Sequence, residues 1–375
     1  MHKLYFDQQL LNCWHHPELY SFIDVDAIPV FGVEKCNATQ DNSDLVEEIE
    51  EIAYCCIRNE GYQFRMKTTS IIANWDFSSI SICELSNVGE SDVRYQQELN
   101  RLLHTVFCYR LIYLGGMSLH SAVTVYRDEA IAFCGLSGAG KSTQANLWKR
   151  YLGAWVLNYD KPAIMYDDSD LCMICGTPWS GKERCFINGN TPLKAIVFVE
   201  KASYNYVQKL PIAEAYSMLL LNNYVYPIDN SVEVLYDQQV ERLAQKVPVY
   251  RLFCTKDVDA VRALFGSLFD EQGFCEAMIR GAKKMKIKDH YVLRNIAGEY
   301  IVIPRGRATL DFQATIVLNE TGAYLWKLMV EPVTEDALVS QMIVEYDVPR
   351  DTAAADVAKF IELLRENGII EDYVL

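Results

Sequence analysis

The sequence predicts an α/β chain: a phosphate-loop core, a β-rich region before it and a winged-helix-like module after it. Three observations carry this expectation. Gly135-Leu136-Ser137-Gly138-Ala139-Gly140-Lys141-Ser142 satisfies G-x-x-x-x-G-K-[ST] in full. From about Leu119 to Phe269 the pattern alternates strand and helix around that loop. Beyond Lys286, three strand-like runs are followed by three helical ones. The 375 residues suffice for two or three cores, and a composition half hydrophobic and 23% charged is that of a globular chain. The expected divisions are 1–100, 101–275 and 286–375.

In the first division, Ser70-Ile71-Ile72-Ala73 and Ser79-Ile80-Ser81-Ile82-Cys83 read as strands, the second with one solvated face. The acidic stretch Glu47-Glu48-Ile49-Glu50-Glu51 reads as a solvated helix face. A helix is expected from Val93 to about Tyr113, broken by Gly115-Gly116 before a strand that begins near Leu119.

Ala130-Ile131-Ala132-Phe133-Cys134 reads as a buried strand leading into the phosphate loop, and Lys141 to Arg150 as the helix leaving it. That context makes the motif a nucleoside triphosphate site. Gly135, Ser137, Gly138, Ala139 and Gly140 offer backbone N–H groups to phosphate oxygens, and the helix start at Lys141, Ser142 and Thr143 adds its partial positive charge. Lys141 is placed to reach the β/γ-phosphates and the Ser142 hydroxyl to ligate Mg²⁺.

Phosphoryl transfer also needs a carboxylate and a group that handles the acceptor proton. Trp155-Val156-Leu157-Asn158 reads as a strand that delivers Asp160 to a strand end beside the loop, although an Asp before Lys161-Pro162 could also simply cap a turn. His120 heads the strand leading back to the loop, where it is either a proton-handling group or a structural histidine. The turn-rich Gly176 to Arg184 places Lys182, Glu183 and Arg184 as further candidates, Glu183 for metal, against the reading of an exposed charged turn. Asp167, Asp168 and Asp170 read as a hairpin turn.

A net charge of −15 argues against nucleic-acid binding, which needs clustered Lys and Arg. The polar N-terminus and the absence of any apolar run near the ~20 residues of a membrane span lead to the expectation of a cytoplasmic protein with no membrane partner. The twelve cysteines then read as buried small hydrophobes. Cys172 and Cys175 have metal-ligand spacing, but on a strand that separation points the thiols to opposite faces, as it does for Cys55-Cys56.

Between Asp270 and Lys288 the chain turns polar and basic, and Lys283-Lys284-Met285-Lys286 reads as a solvated linker or helix end. Tyr291–Ile296 and Glu299–Pro304 form a hairpin around Ala297-Gly298, with a third strand at Ala314 to Leu318. Helices follow from Glu320 to about Met329, from Thr334 as N-cap, and from Asp351 to Asn367, closed by Gly368. Val357, Phe360, Ile361 and Leu364 recur at helical spacing as core. From Lys286 on, fifteen acids face nine basic residues, which disfavours a duplex-DNA role.

Leu119-His120-Ser121-Ala122-Val123, the phosphate loop through Thr143, Leu157-Asn158-Tyr159-Asp160 and Pro192-Leu193-Lys194-Ala195-Ile196-Val197-Phe198 resemble the HPr kinase-like family, whose nucleotide fold is shared with phosphoenolpyruvate carboxykinase. The resemblance implies active-site roles for His120 and Lys141, Mg²⁺ ligation by Ser142, and an acidic base after the strand. The family usually has two consecutive acids there. This chain has Tyr159-Asp160, which leaves Asp160 to serve alone, and it lacks a match to the family's phosphatase-associated loop.

Arg294 to Tyr300, Leu318 to Trp326 and Glu345-Tyr346-Asp347-Val348 resemble the PqqD-like peptide-recognition domains of modified-peptide pathways. The resemblance implies a leader peptide added as a strand beside the third strand and third helix, with contacts near Thr315, Val317, Asp356, Lys359, Phe360 and Leu363. Together the two resemblances imply an ATP- and Mg²⁺-dependent kinase acting on a Ser or Thr of a precursor peptide held by its leader. A kinase for free serine or a similar small hydroxyl compound, and an inactive nucleotide-gated peptide chaperone, are the alternatives.

Overall fold

The computed structural model describes residues 3–16, 19–24, 27–36, 47–49, 52–57, 61–85, 91–183, 185, 187–222, 225–226, 228–305 and 316–373. A first sheet gathers β1 (Gly32–Cys36), β2 (Glu47–Ile49), β3 (Ile52–Ile57), β4 (Gly61–Arg65), β5 (Thr69–Ala73) and β6 (Ser79–Glu84) in the order β1-β6-β5-β4-β3-β2. Glu47–Ile49, expected in a helix, is instead a strand in antiparallel register with Ile52–Tyr54. Pairing with a strand that carries Ile52 and Tyr54 overrides the helix preference of Glu47 and Glu48.

Helix α1 (Val93–Tyr113) starts where Asp92 accepts from the N–H groups of Arg94 and Tyr95, and runs unbroken across residue 100. Its apolar face covers the first sheet: the Tyr109 ring lies 5.5 Å from that of Phe64 and 5.0 Å from that of Phe77, both in stacked geometry.

The second sheet contains β7 (Met117–Ser118), β8 (Ser121–Tyr126), β9 (Glu129–Cys134), β10 (Trp155–Asn158), β11 (Ala163–Tyr166), β12 (Cys172–Cys175), β13 (Asn190–Lys201), β14 (Tyr206–Lys209) and β15 (Val249–Cys254). β9 lies between antiparallel β8 and parallel β13, and β13 also pairs in parallel with β15. On β9, Ala130, Ala132 and Cys134 join one buried cluster while Ile131 and Phe133 join another. This period of two, apolar on both faces, is that of a sheet covered on both sides.

Helices α1, α3 (Ile212–Leu221) and α4 (Asn230–Lys246) contribute to the first cluster. Helices α2 (Lys141–Leu152), α5 (Val258–Leu268) and α6 (Phe274–Ala282) form the second, around the fully buried Trp148. Truncating such a side chain to Ala costs about 3–5 kcal/mol.

The C-terminal module has β16 (Lys284–Ile287) paired with β20 (Ile370–Tyr373), and a three-stranded sheet of β17 (Tyr291–Ile296), β18 (Glu299–Pro304) and β19 (Ile316–Leu318). Ala297 and Gly298 turn the hairpin with φ of 53° and 92°. Helices α7 (Glu320–Leu328), α8 (Glu335–Tyr346) and α9 (Arg350–Glu366) pack a third cluster that includes Val357, Ile361 and Leu364.

The basic run expected to be solvated is strand β16, and Lys284 is buried. Its ammonium donates to the carbonyls of Lys149 and Arg150, both at 2.9 Å, so it caps the C-terminal end of α2. Thr334 Oγ1 donates to Gly153 O at 3.2 Å and Trp155 Nε1 to Ser340 Oγ at 3.0 Å, while Arg350 bridges Asp128 and Asp336. The module is thus seated on the end of the helix that begins at the phosphate loop. None of the described helices is long and apolar enough to cross a membrane.

Candidate active site at the phosphate loop

The loop leaves β9 at Gly135, whose φ of 137° and close approach to Val199 O exclude a larger side chain. Gly138 and Gly140 also have positive φ, and α2 starts at Lys141. Lys141 is buried and its ammonium donates to Gly135 O at 2.9 Å, which turns the charge back over the loop. Burial lowers its pKa, opposed by the Cys134 thiol and the Asp160 carboxylate.

Gly135 through Ala139 form one wall of a cleft of about 710 Å³, with His120, Phe198 to Lys201, Met218, Leu221 and Asn222 opposite. Phe198 ends the Pro192–Phe198 stretch that carries the resemblance, whereas Met218, Leu221 and Asn222, on and just after α3, belong to no sequence motif. Ser142 and Thr143 lie half-buried in the first turn of α2.

The antiparallel pairing of β8 with β10 brings His120 and Asp160 to the same end of the sheet. His120 Nε2 is 3.3 Å from Asp160 Oδ1, and Ser121 N donates to Asp160 O at 3.0 Å. A register shift between Val156 and Asn158 re-aims the end of β10. Asn158 then accepts from the N–H groups of Asp160 and Lys161, at 2.9 and 3.0 Å. Burial raises the Asp160 carboxyl, but the His120 hydrogen bond and the charges of Lys161, His120 and Lys141 outweigh it, and the net shift is below the ordinary 3.8.

A loop from Gly176 to Gly181 closes over this carboxylate. A Cβ on Gly181 would lie 3.0 Å from that of Asp160, and Ser180 Oγ accepts from Tyr159 N at 3.1 Å. Trp179 anchors the loop: its ring meets those of Phe107, Trp14 and Phe6 at 4.9, 5.4 and 5.7 Å, and its Nε1 donates to Asn100 Oδ1 at 3.0 Å. Phe6 and Trp14 of the N-terminal region therefore brace the loop beside Asp160. Behind it lies His104, fully buried, with its pKa driven well below 6.5 by burial first and then by the Lys161 and His120 charges.

Tyr159 stands where the resemblance expects the first acid. Its hydroxyl donates to Asn146 Oδ1 at 2.8 Å, and burial, with Cys185 and Glu183 nearby, raises its pKa, so it keeps its proton. Glu183 does not line the phosphate-loop cleft: it is exposed and lines a separate cleft with Lys149, Tyr159 and Cys185. Glu183, expected as a metal ligand, thus lies on the Tyr159 and Lys149 side of the site rather than in the wall of the phosphate-loop cleft. Lys182 is likewise exposed, and Arg184 lies outside the described residues. Among the described residues no three His, Cys, Asp or Glu side chains cluster as a metal site.

In the module, β19 is an edge strand among the described residues, and Val317, Lys359 and Leu363 are exposed. Phe360 is 7% exposed and belongs to the module's core, so it is not a free contact; its apolar helical spacing already placed it there. Thr315 lies outside the described residues.

Residues 300–370 match the model of the family described as coenzyme PQQ synthesis protein D, PqqD. No curated protein matches the chain. Among solved structures, the HPr(Ser) kinase/phosphatase from Coxiella burnetii is similar at 10% identity over 35% of this chain and 92% of its own, with a TM-score of 0.20. The chain thus carries a PqqD-like module behind a phosphate-loop α/β core.

Proposed function

We propose that the protein transfers the γ-phosphoryl group of ATP to a Ser or Thr hydroxyl of a precursor peptide that its C-terminal module holds by the leader. The observation that carries this reading is the His120–Asp160 pair, whose histidine lines the phosphate-loop cleft, in a chain whose next module matches PqqD. The P–O bond to the ADP leaving group breaks, a P–O bond to the acceptor oxygen forms, and Asp160 takes the hydroxyl proton. The depressed Asp160 pKa keeps that carboxylate ionised, and His120 orients it. Lys141 supplies positive charge at the phosphates as charge builds on the transferred group. The Ser142 hydroxyl and the Asp160 carboxylate are hard oxygen donors that fit Mg²⁺ and would hold it. Mg²⁺ would neutralise phosphate charge there.

The peptide is the favoured acceptor because the module is fastened to the core at Gly153, Trp155 and Asp128, which holds a captured chain near the site. The test is incubation with Mg²⁺-ATP and the precursor encoded beside the gene, followed by mass spectrometry. A gain of about 80 Da on a Ser or Thr supports the reading, since phosphorylation adds one phosphoryl group there. No gain on the peptide, with phosphorylation of free serine, overturns it.

A further inference from the structure

Resting on that peptide-kinase reading, we propose that the acceptor segment of the peptide crosses from the module to the phosphate loop along a furrow that passes Lys327. Lys327 lines three clefts; one opens toward Lys3, Tyr5 and Glu345, and the other two mark the path. The first of these two, of about 670 Å³, lies within the module and has apolar walls from Tyr291, Leu293, Tyr300, Trp326 and Val330. The other, of about 350 Å³, lies between module and core and is lined by Lys149, Tyr159, Glu183 and Glu331. Lys327 lines both and is exposed.

From the inner cleft, one face of α2 runs back to the phosphate loop. Ser142, Asn146 and Lys149 are spaced i, i+4 and i+7 and share one helix face. Lys149 lines the inner cleft, and Asn146 accepts from the Tyr159 hydroxyl one turn nearer the loop. Seven residues of helix rise about 10 Å, the reach of about three residues of extended chain. The inner cleft lies between two parts of one chain, which suits an extended peptide rather than the broad surface of a second copy. Apolar walls at the outer end, and Lys149, Lys284 and Lys327 beside Glu183 and Glu331 at the inner end, fit a peptide whose leader side is apolar and whose acceptor side is polar and of mixed charge.

The test replaces Lys327 with photoreactive p-benzoylphenylalanine in the full chain, irradiates it with the full-length precursor encoded beside the gene, and maps the adducts. Adducts on residues that follow the leader are expected. Adducts on the leader alone, or none, overturn the proposal. In parallel, the double variant K327E/E331K should raise KM for the precursor about tenfold or more, while Kd for the leader fragment changes less than about twofold. An unchanged KM overturns the furrow as well. If the wild-type chain transfers no phosphoryl group, the kinase reading fails, and the adduct map still decides the furrow.

Discussion

His120 Nε2 lies 3.3 Å from Asp160 Oδ1, one residue before β8 and the other just after β10, so the pairing of these two strands brings the proposed acid–base pair together. Asp160→Asn keeps the shape and the Asn158 turn but removes the base. Turnover should fall by about 10²–10⁴, with ATP affinity largely retained. Equilibrium nucleotide binding measured beside single-turnover transfer separates the two effects.

The depressed Asp160 pKa has a defined sign. A carboxylate held below its ordinary 3.8 contributes stability that is present above that value and lost as pH falls through the lower folded value. Protonation of Asp160 should therefore leave kcat/KM undisturbed from pH 5 to 9. A limb in that range that disappears in Asp160→Asn at its residual rate would contradict this assignment.

His104 works in the opposite range. It is neutral and buried in the folded chain, whereas the unfolded chain takes up a proton as pH falls through about 6.5, so stability declines below that pH. The slope from this one group approaches ~1.4 kcal/mol per pH unit. Urea titrations at pH 7.5 and 5.5 should show a larger difference for the wild type than for His104→Gln.

Trp179 should matter more than its distance from the phosphates suggests. Trp179→Ala empties a pocket among Phe6, Trp14 and Phe107 and is expected to cost about 3–5 kcal/mol. Trp179→Phe should restore most of the stability but lose the bond to Asn100, and with it part of the turnover. Full activity in a stable Trp179→Phe variant would show that the loop does not need that anchor.

The joint between module and core can be loosened by one methyl group. A Cβ on Gly153 would lie 2.5 Å from Thr334 Cγ2, at a φ of 70° that an Ala side chain disfavours. Gly153→Ala is expected to destabilise the chain by about 1–3 kcal/mol. The effect should be strongest for proteolytic release of the module.

The phosphate loop, its flanking strand and helix, the 291–304 hairpin and the Thr334 cap were legible because each is set by residues close in sequence. The approach of His120 to Asp160 was not, since it depends on which strands pair and on the register shift beyond Val156. Lys284 reads as solvent-facing until the carbonyls at the end of α2 are placed against it. Glu183 belongs to another cleft for a similar reason: one turn after Gly181 decides its side, and no spacing rule encodes that turn.

Whether one chain both captures a peptide and phosphorylates it is decided by kcat/KM for the full precursor against kcat/KM for the same peptide lacking its leader. Phosphoryl transfer to both is expected, with the leaderless peptide poorer by about 10²-fold or more, within the range tethering supplies. Equal kcat/KM for the two peptides would contradict it, and so would transfer that persists unchanged in Asp160→Asn.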